Sequence, residues 1–234
     1  MPSALFADRA GIWPAFVGSL AVMILTILLT VPIGVMAAIY LEEFQVKKNR
    51  VTEFIQVNIA NLSGVPSIVY GMLGLFLFVT LMALGKTLIA GALTMGLLIL
   101  PLVILVSQES LKAVPRHYRE ASLALGATRW QTIVKSVMPS ALPGILTGVI
   151  LAAGRAIGET APLIVVGAVT SMTFAPDSLS SKYMVMPLLI FDWIQKPQLE
   201  FRPAAAAAIL VLLTMLLILN SAAIIIRART QKKI

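Results

Sequence analysis

Residues 10–41 contain no charged side chain, and nearly all of them are apolar. A helix of about 20 apolar residues crosses the hydrocarbon core of a bilayer. A tract of this length and kind therefore commits the chain to lipid before any other feature is considered. Two more uncharged tracts follow, Phe54–Gly85 and Thr87–Gln108. The chain as a whole is 59% hydrophobic and 12% charged, against roughly 25% charged in soluble domains.

These tracts predict an all-α integral membrane protein with five spans, near residues 15–40, 64–84, 88–108, 142–169 and 204–226. Pro32 and Gly34 allow a bend in the first, and Gly85-Lys86 make a tight turn after the second. The alanine-rich start of the fifth suits a close helix contact. Residues 1–14 and 170–203 fall on one side of the membrane, and 109–140 and 227–234 on the other. The latter side, with the Lys47–Arg50 cluster, holds twelve Lys and Arg; the former holds Arg9, Lys86, Lys182, Lys196 and Arg202. The positive-inside rule makes the richer side cytoplasmic, which places the C-terminus inside. The net charge of +8 sits in short clusters between apolar runs, so it fits cytoplasmic loops rather than a nucleic-acid groove. Within 170–203, the apolar piece Met184–Ile194 is too short to span. With Tyr183 and Trp193 it suits an interfacial or re-entrant helix. The first apolar run is too long, and lacks the preceding basic region, for a cleavable signal peptide. There is no cysteine, which excludes disulfides and thiol chemistry.

The cytoplasmic segment Val114–Pro139 is the most organised polar stretch. Pro115 opens a helix along which Tyr118, Ser122 and Leu125 recur at helical spacing, and Gly126 closes it in a left-handed conformation. Thr128 caps a second helix, with Gln131 completing a capping box. Trp130, Ile133, Val134 and Val137 form the apolar stripe of that helix, and Pro139 is expected to stop it. Amphipathicity alone leaves open whether this pair lies on the membrane surface or grips a partner.

In the fourth tract, Arg155 lies roughly 20 Å along a helix starting near Leu142. That is past the midplane of a core about 30 Å thick. An arginine there costs at least about 2.5–3.5 kcal/mol, so it must face protein or water. Glu159, four residues on, shares its face and can pair with it. The pair either neutralises itself and locks neighbouring helices, or offers guanidinium donors to a passing oxyanion. Gly144 with Gly148, and Gly154 with Gly158, form two G-x-x-x-G patterns that permit close helix approach. Pro162 can kink the helix just beyond Glu159. Tight packing and a pivot are both compatible with these residues. Ser63, Ser67 and Tyr70 either line a polar path or simply pack.

Four groups of residues carry a resemblance to a known family. Glu120-Ala121-Ser122 followed by Gly126 and Met138-Pro139 resembles the EAA loop of bacterial ABC importer permeases, with Ser122, Ser136 and Met138 as mild departures. Gly154–Leu163, Asn61–Gly71, and Met186-Pro187 with Phe191–Ile194 resemble the A-type permeases of phosphate importers. The resemblance implies the transmembrane domain of a type I (MetI-like) ABC importer over residues 15–226. Its family norm is six spans, and this chain begins in the external stretch that follows the family's first.

The resemblance further implies that the loop is a coupling helix inserting into an ATPase, with Arg119, Glu120, Ala121, Gly126, Ala127 and Thr128 at the contact. It puts Arg155, Glu159, Thr160 and Ser67 on the substrate pathway, and Gly154, Gly158 and Pro162 at a packing or pivot point. The implied partners are a C-type permease in a heterodimer, two copies of a cytoplasmic ATPase, an extracytoplasmic phosphate-binding protein and membrane lipid. The implied location is a bacterial or archaeal plasma membrane.

Gly85-Lys86-Thr87 lacks the upstream glycine of a phosphate-binding loop, so the chain is expected to bind no cofactor, to leave ATP to its partner and to be no enzyme. His117 is the only histidine, with no Cys or carboxylate cluster around it, so no metal site is expected. Two alternatives stay open. The same machine could carry another oxyanion such as molybdate, tungstate or sulfate, since an arginine serves any of them. A secondary transporter or channel using Arg155 and Glu159 would leave the capped loop unexplained.

Overall fold

The computed structural model describes residues 11–44, 50–170, 172 and 174–231. Arg9, Lys47, Lys48, Lys232 and Lys233, which enter the orientation argument, lie outside the described residues. Among the described residues every regular element is helical. In chain order these are α1 (Trp13–Ile39, ending in a π turn over Tyr40–Phe44), α2 (Arg50–Ser63) and α3 (Ser67–Gly74, with a π continuation Leu75–Leu81). Then come α4 (Leu88–Lys112), α5 (Arg116–Ala124), α6 (Arg129–Thr132, with a π turn Ile133–Val137) and α7 (Met138–Gly158). The chain finishes with α8 (Ala161–Val166), α9 (Met186–Gln195) and α10 (Phe201–Gln231).

Four helical stretches are long and apolar enough to cross a bilayer: Trp13–Phe44, Leu88–Lys112, Arg129–Gly158 and Phe201–Ile225. A fifth span exists only if α2 and α3 are counted together across their break. The span expected at 64–84 is thus corrected. Its helix runs only from Ser67 to Leu81, because Pro66 is extended (φ −55°, ψ 137°) and cannot continue α2.

The fourth span is corrected too. It is not one helix over 142–169 but α7, a break at Glu159-Thr160, and the short α8. Pro162, near the start of α8, has no N–H to give the Gly158 carbonyl, and its ring would clash there in a continuous helix. Pro139 does not stop the helix that begins at Thr128, since the helical run continues into α7. The wider π turn at Ile133–Val137 precedes it and includes Lys135, whose carbonyl the proline ring would otherwise meet.

The chain packs as two compact units. One holds the segment ending at Leu29 with Val65–Leu98 and Ala153–Leu219, and the other holds Thr30–Gly64, Ile99–Ala152 and the chain from Asn220. In the first unit the segment between α8 and α10 is folded into the protein. Tyr183 is 0% exposed and lies against Gly91, and Trp193, on the piece expected as an interfacial or re-entrant helix, is 1% exposed and sits among Met184, Met186, Leu189, Phe201, Ala205 and Ala208. The alanines at the start of α10 permit that contact. Ser19 Oγ accepts from the Met186 N–H at 2.8 Å, which fastens the start of α9 to α1. The Ser181 and Leu179 carbonyls accept from the Leu88 and Ile89 N–H groups at 3.0 and 3.1 Å. They satisfy donors that the first turn of α4 would otherwise leave open. Asp177 receives the Ser181 hydroxyl, and this bond holds its carboxyl below the usual carboxylate range. Burial pushes the Tyr183 phenol well above its ordinary value.

In the second unit the core is Ala38, Leu41, Ile104, Leu111, Val114, Val137, Ala141 and Ile145. Gly144 and Gly148 lie against Ser110 and Val106, so this G-x-x-x-G is a packing surface for α4. Gly158 instead has open space where a Cβ would stand. Along α10, Leu210, Leu213, Leu217, Ile218, Ile224 and Ile225 are exposed, an ordinary outer face in lipid and an untenable one in water.

The two glycine pairs predict different outcomes. Gly148→Leu overpacks against Val106 and should cost about 1–3 kcal/mol, whereas Gly158→Ala should stay within about 0.5 kcal/mol. Thermal denaturation of the purified chain in detergent measures both, and equal shifts would contradict the assignment.

Candidate functional site

Two places concentrate the polar chemistry, one in each unit. The first is the segment from Pro115 to Val137. Pro115 is extended and starts α5, which ends at Gly126 with φ +82°. The Gly126 N–H donates to the Leu123 carbonyl at 3.0 Å and the Ala127 N–H to the Ser122 carbonyl at 3.2 Å. This is a Schellman closure, and it needs a residue that tolerates positive φ. Nothing crowds the missing Cβ of Gly126, so backbone conformation alone demands glycine. Thr128 Oγ1 then accepts from the Gln131 N–H at 3.3 Å, while Gln131 Oε1 accepts from the Thr128 N–H at 2.9 Å. The capping box is complete. Ser122 and Thr132 hydroxyls meet at 3.0 Å and tie the two limbs together.

The corner is presented outward. Glu120, Ala121, Gly126 and Thr128 are exposed, Ala127 is half-buried, and Leu125 at the tip is 89% exposed. Arg119 behaves differently from its neighbours. Its guanidinium turns inward, donating from Nε to both Glu43 oxygens at 3.2 and 3.1 Å, and from Nη2 to Glu43 Oε1 at 2.5 Å. Its remaining donors reach the Val114 and Leu111 carbonyls, each at 2.8 Å. One side chain thus joins α5 to the end of α1 and satisfies one carbonyl in the last turn of α4 and one just beyond it.

Glu43 and its neighbour Phe44, whose ring lies 6.4 Å from that of Trp130, were not legible as parts of this loop. They stand 76 residues from Arg119, and no local pattern links them. The one available signal was an acidic pair closing an apolar helix. His117 lies against the Tyr118 ring at 4.7 Å, and no group of His, Cys, Asp or Glu suited to a metal occurs among the described residues.

The second place is the break between α7 and α8. Arg155 Nε donates to Glu159 Oε1 at 3.4 Å, a long single contact rather than a bidentate one. The Arg155 side chain is 46% exposed and that of Glu159 20%. Glu159 sits just past the last helical residue, beside Thr160, so the pair marks the broken end rather than the middle of a helix.

α3 packs directly on α8. A Cβ at Gly71 would stand 2.7 Å from Pro162 Cα, so the backbones touch there. This brings the first turns of α3 against α8. Tyr70, beside Gly71 on α3, is buried. Ser67 is the first residue of α3, three before Tyr70, and is half-buried. Gly154 is half-buried on α7. The small cavity nearby is lined by Ser19, Thr26, Met95, Ile157 and Leu163 and by no ionisable side chain.

An all-helical membrane fold with a capped, outward-facing polar corner defines a multi-pass membrane permease. Residues 30–232 match the family described as the binding-protein-dependent transport system inner membrane component. The chain belongs to that family. It is 41% identical over 169 residues to the probable ABC transporter permease protein YqgI of Bacillus subtilis (strain 168), covering 72% of this chain and 57% of that one. It is 36% identical over 190 residues to the phosphate transport system permease protein PstA 1 of Mycobacterium tuberculosis (strain CDC 1551 / Oshkosh), covering 80% of this chain and 61% of that one. The chain spans about three fifths of the length of these curated relatives. Its fold is that of a chain of the inward-facing MetNI methionine ABC transporter, with a TM-score of 0.70 at 16% identity over 94% of both chains. An amino acid ABC transporter crystallised with histidines gives a TM-score of 0.57 at 19% identity, covering 90% of this chain and 91% of the other.

Thr128→Ala removes the cap of α6 and should destabilise that turn by about 1 kcal/mol. Amides of residues 129–133 should then exchange hydrogen faster, while Thr128→Ser retains protection. Unchanged exchange in the alanine variant would show the cap to be idle.

Proposed function

We propose that this chain is a membrane-spanning permease subunit of a high-affinity phosphate ABC importer. It forms the translocation path with a C-type permease, its heterodimer partner. Of two copies of a cytoplasmic ATPase, one binds the exposed corner at Glu120, Ala121, Gly126, Ala127 and Thr128 and the other binds the C-type permease, and an extracytoplasmic phosphate-binding protein delivers the solute. The observation that carries the importer reading is the corner itself. Two caps and a hydroxyl bridge hold a rigid polar wedge outward, as a part gripped by another protein requires. The chain is not an enzyme and binds no cofactor; ATP is used by the ATPase. The C-terminus is cytoplasmic, on the same face as the corner.

ATP binding draws the ATPases together and moves the corner, and the attached helices switch the path from inward- to outward-facing. Arg155 is the anion-recognising group. It is half exposed and its one bond, to Glu159, is long, so N–H donors remain for an oxyanion. Glu159 orients the guanidinium between ions and accepts the proton of monohydrogen phosphate. Thr160, at the break, and Ser67 add hydroxyl donors. Pro162, seated on Gly71, and the uncrowded Gly158 let the break pivot. Phosphate is favoured over molybdate, tungstate or sulfate by the 36% identity with a phosphate permease across 80% of the chain.

Affinity purification should recover an ATPase with the wild-type chain and lose it with Glu120→Arg or Gly126→Pro. In proteoliposomes of the assembled importer, Arg155→Gln should abolish ATP-driven uptake of radiolabelled phosphate while assembly persists. Unchanged uptake would remove Arg155 from the path. Stable uptake by this chain alone, without ATP, would overturn the importer reading. Equal competition by sulfate or molybdate would reassign the cargo.

A further inference from the structure

We propose that Glu43 and Phe44 are positioning residues that bind the exposed corner to the end of the first helix, so that α1 and the loop move as one body. The inference rests on the reading of that loop as the ATPase contact, and assigns the route by which its motion reaches a transmembrane helix.

The geometry is that of a two-point grip. The π turn Tyr40–Phe44 ends α1 with two successive residues that each hold a different limb of the loop. Glu43 takes Arg119 on α5 through both carboxylate oxygens, and Phe44 lies against Trp130 on α6. The Glu43 side chain is only 8% exposed and that of Arg119 22%, so water competes little for this pair. Glu43 also lines the groove between the limbs, with Leu123, Arg129, Thr132 and Ile133.

A fork of N–H donors against a carboxylate fixes orientation as well as distance. Because the same guanidinium holds the Leu111 and Val114 carbonyls, α5 cannot swing away from α1 without freeing α4 as well. A ring contact on the second limb removes the remaining rotation about the ion pair. The Ser122–Thr132 bridge keeps the two limbs from separating. Glu120 and Ala121 stay exposed in this arrangement.

The chain has no native cysteine, so Phe44→Cys with Trp130→Cys gives a unique pair for a short bifunctional thiol reagent. In the assembled importer, the cross-linked pair should import more phosphate per ATP hydrolysed than its uncross-linked form, which lacks the ring contact, because the covalent link restores the grip. Glu43→Gln and Arg119→Lys should lower the phosphate imported per ATP hydrolysed by about fivefold or more, with the ATPase still bound in full amount. The exchange Glu43→Arg with Arg119→Glu should recover part of that ratio. A purely structural role would reduce the amount of assembled importer and leave the ratio alone.

Loss of transport on cross-linking, or a wild-type ratio in both single variants, overturns the proposal. If no ATPase accompanies the wild-type chain, it is the importer reading that has failed. Hydrogen exchange on the chain alone then still tests the grip. Glu43→Gln should speed exchange of residues 116–124 by about tenfold, and protection equal to wild type overturns the grip independently.

Discussion

In hydrocarbon every backbone N–H and C=O must find a partner within the protein, and this requirement shapes each part of the fold. Where the helices are continuous the condition is met automatically. Where the chain departs from helix, another group has to supply the partner. The external carbonyls of Leu179 and Ser181 close the start of α4, Ser19 closes the start of α9, and Arg119 closes the far end of α4. The break at Glu159-Thr160 is the exception of interest. It leaves a helix interrupted beside a charged pair, the arrangement tolerated where backbone is covered by protein or lines a polar space.

The same requirement explains the use of small residues. Lipid gives helices no hydrophobic reason to associate, so packing must come from close approach. Gly71 on Pro162 and Gly148 near Val106 achieve this at the backbone level. The buried Thr26 hydroxyl donates to the Ala92 carbonyl at 3.2 Å and adds a polar stitch between α1 and α4. The exposed leucines and isoleucines of α10 need no protein partner in such a solvent.

The loop follows the opposite logic, because its outer face is exposed and polar. Its order comes from hydrogen bonds within a few residues, at Gly126 and Thr128, and that is why it was legible. A positive φ needs glycine, and a cap needs a hydroxyl three residues before a glutamine. The location of Arg155 and Glu159 as neighbours was legible for the same local reason. That they bracket the end of a helix was only half legible. Pro162 signalled a kink, but a clean break also needed α3 to pack against α8 through Gly71.

Local chemistry, then, was sufficient for membrane residence, the long helices, the capped corner and the charged pair. Each depends on the charge, shape or hydrogen-bonding capacity of residues close together in the chain. What tertiary structure decided was long-range. Trp193 and Tyr183 are buried within the protein, and the second tract is split at Pro66 between α2 and α3. Arg119 faces Glu43 rather than outward. Nothing within a helical turn of Arg119 encodes that choice. A guanidinium pairs with whichever carboxylate the packing brings within reach, and here packing brings one from the end of the first charge-free tract.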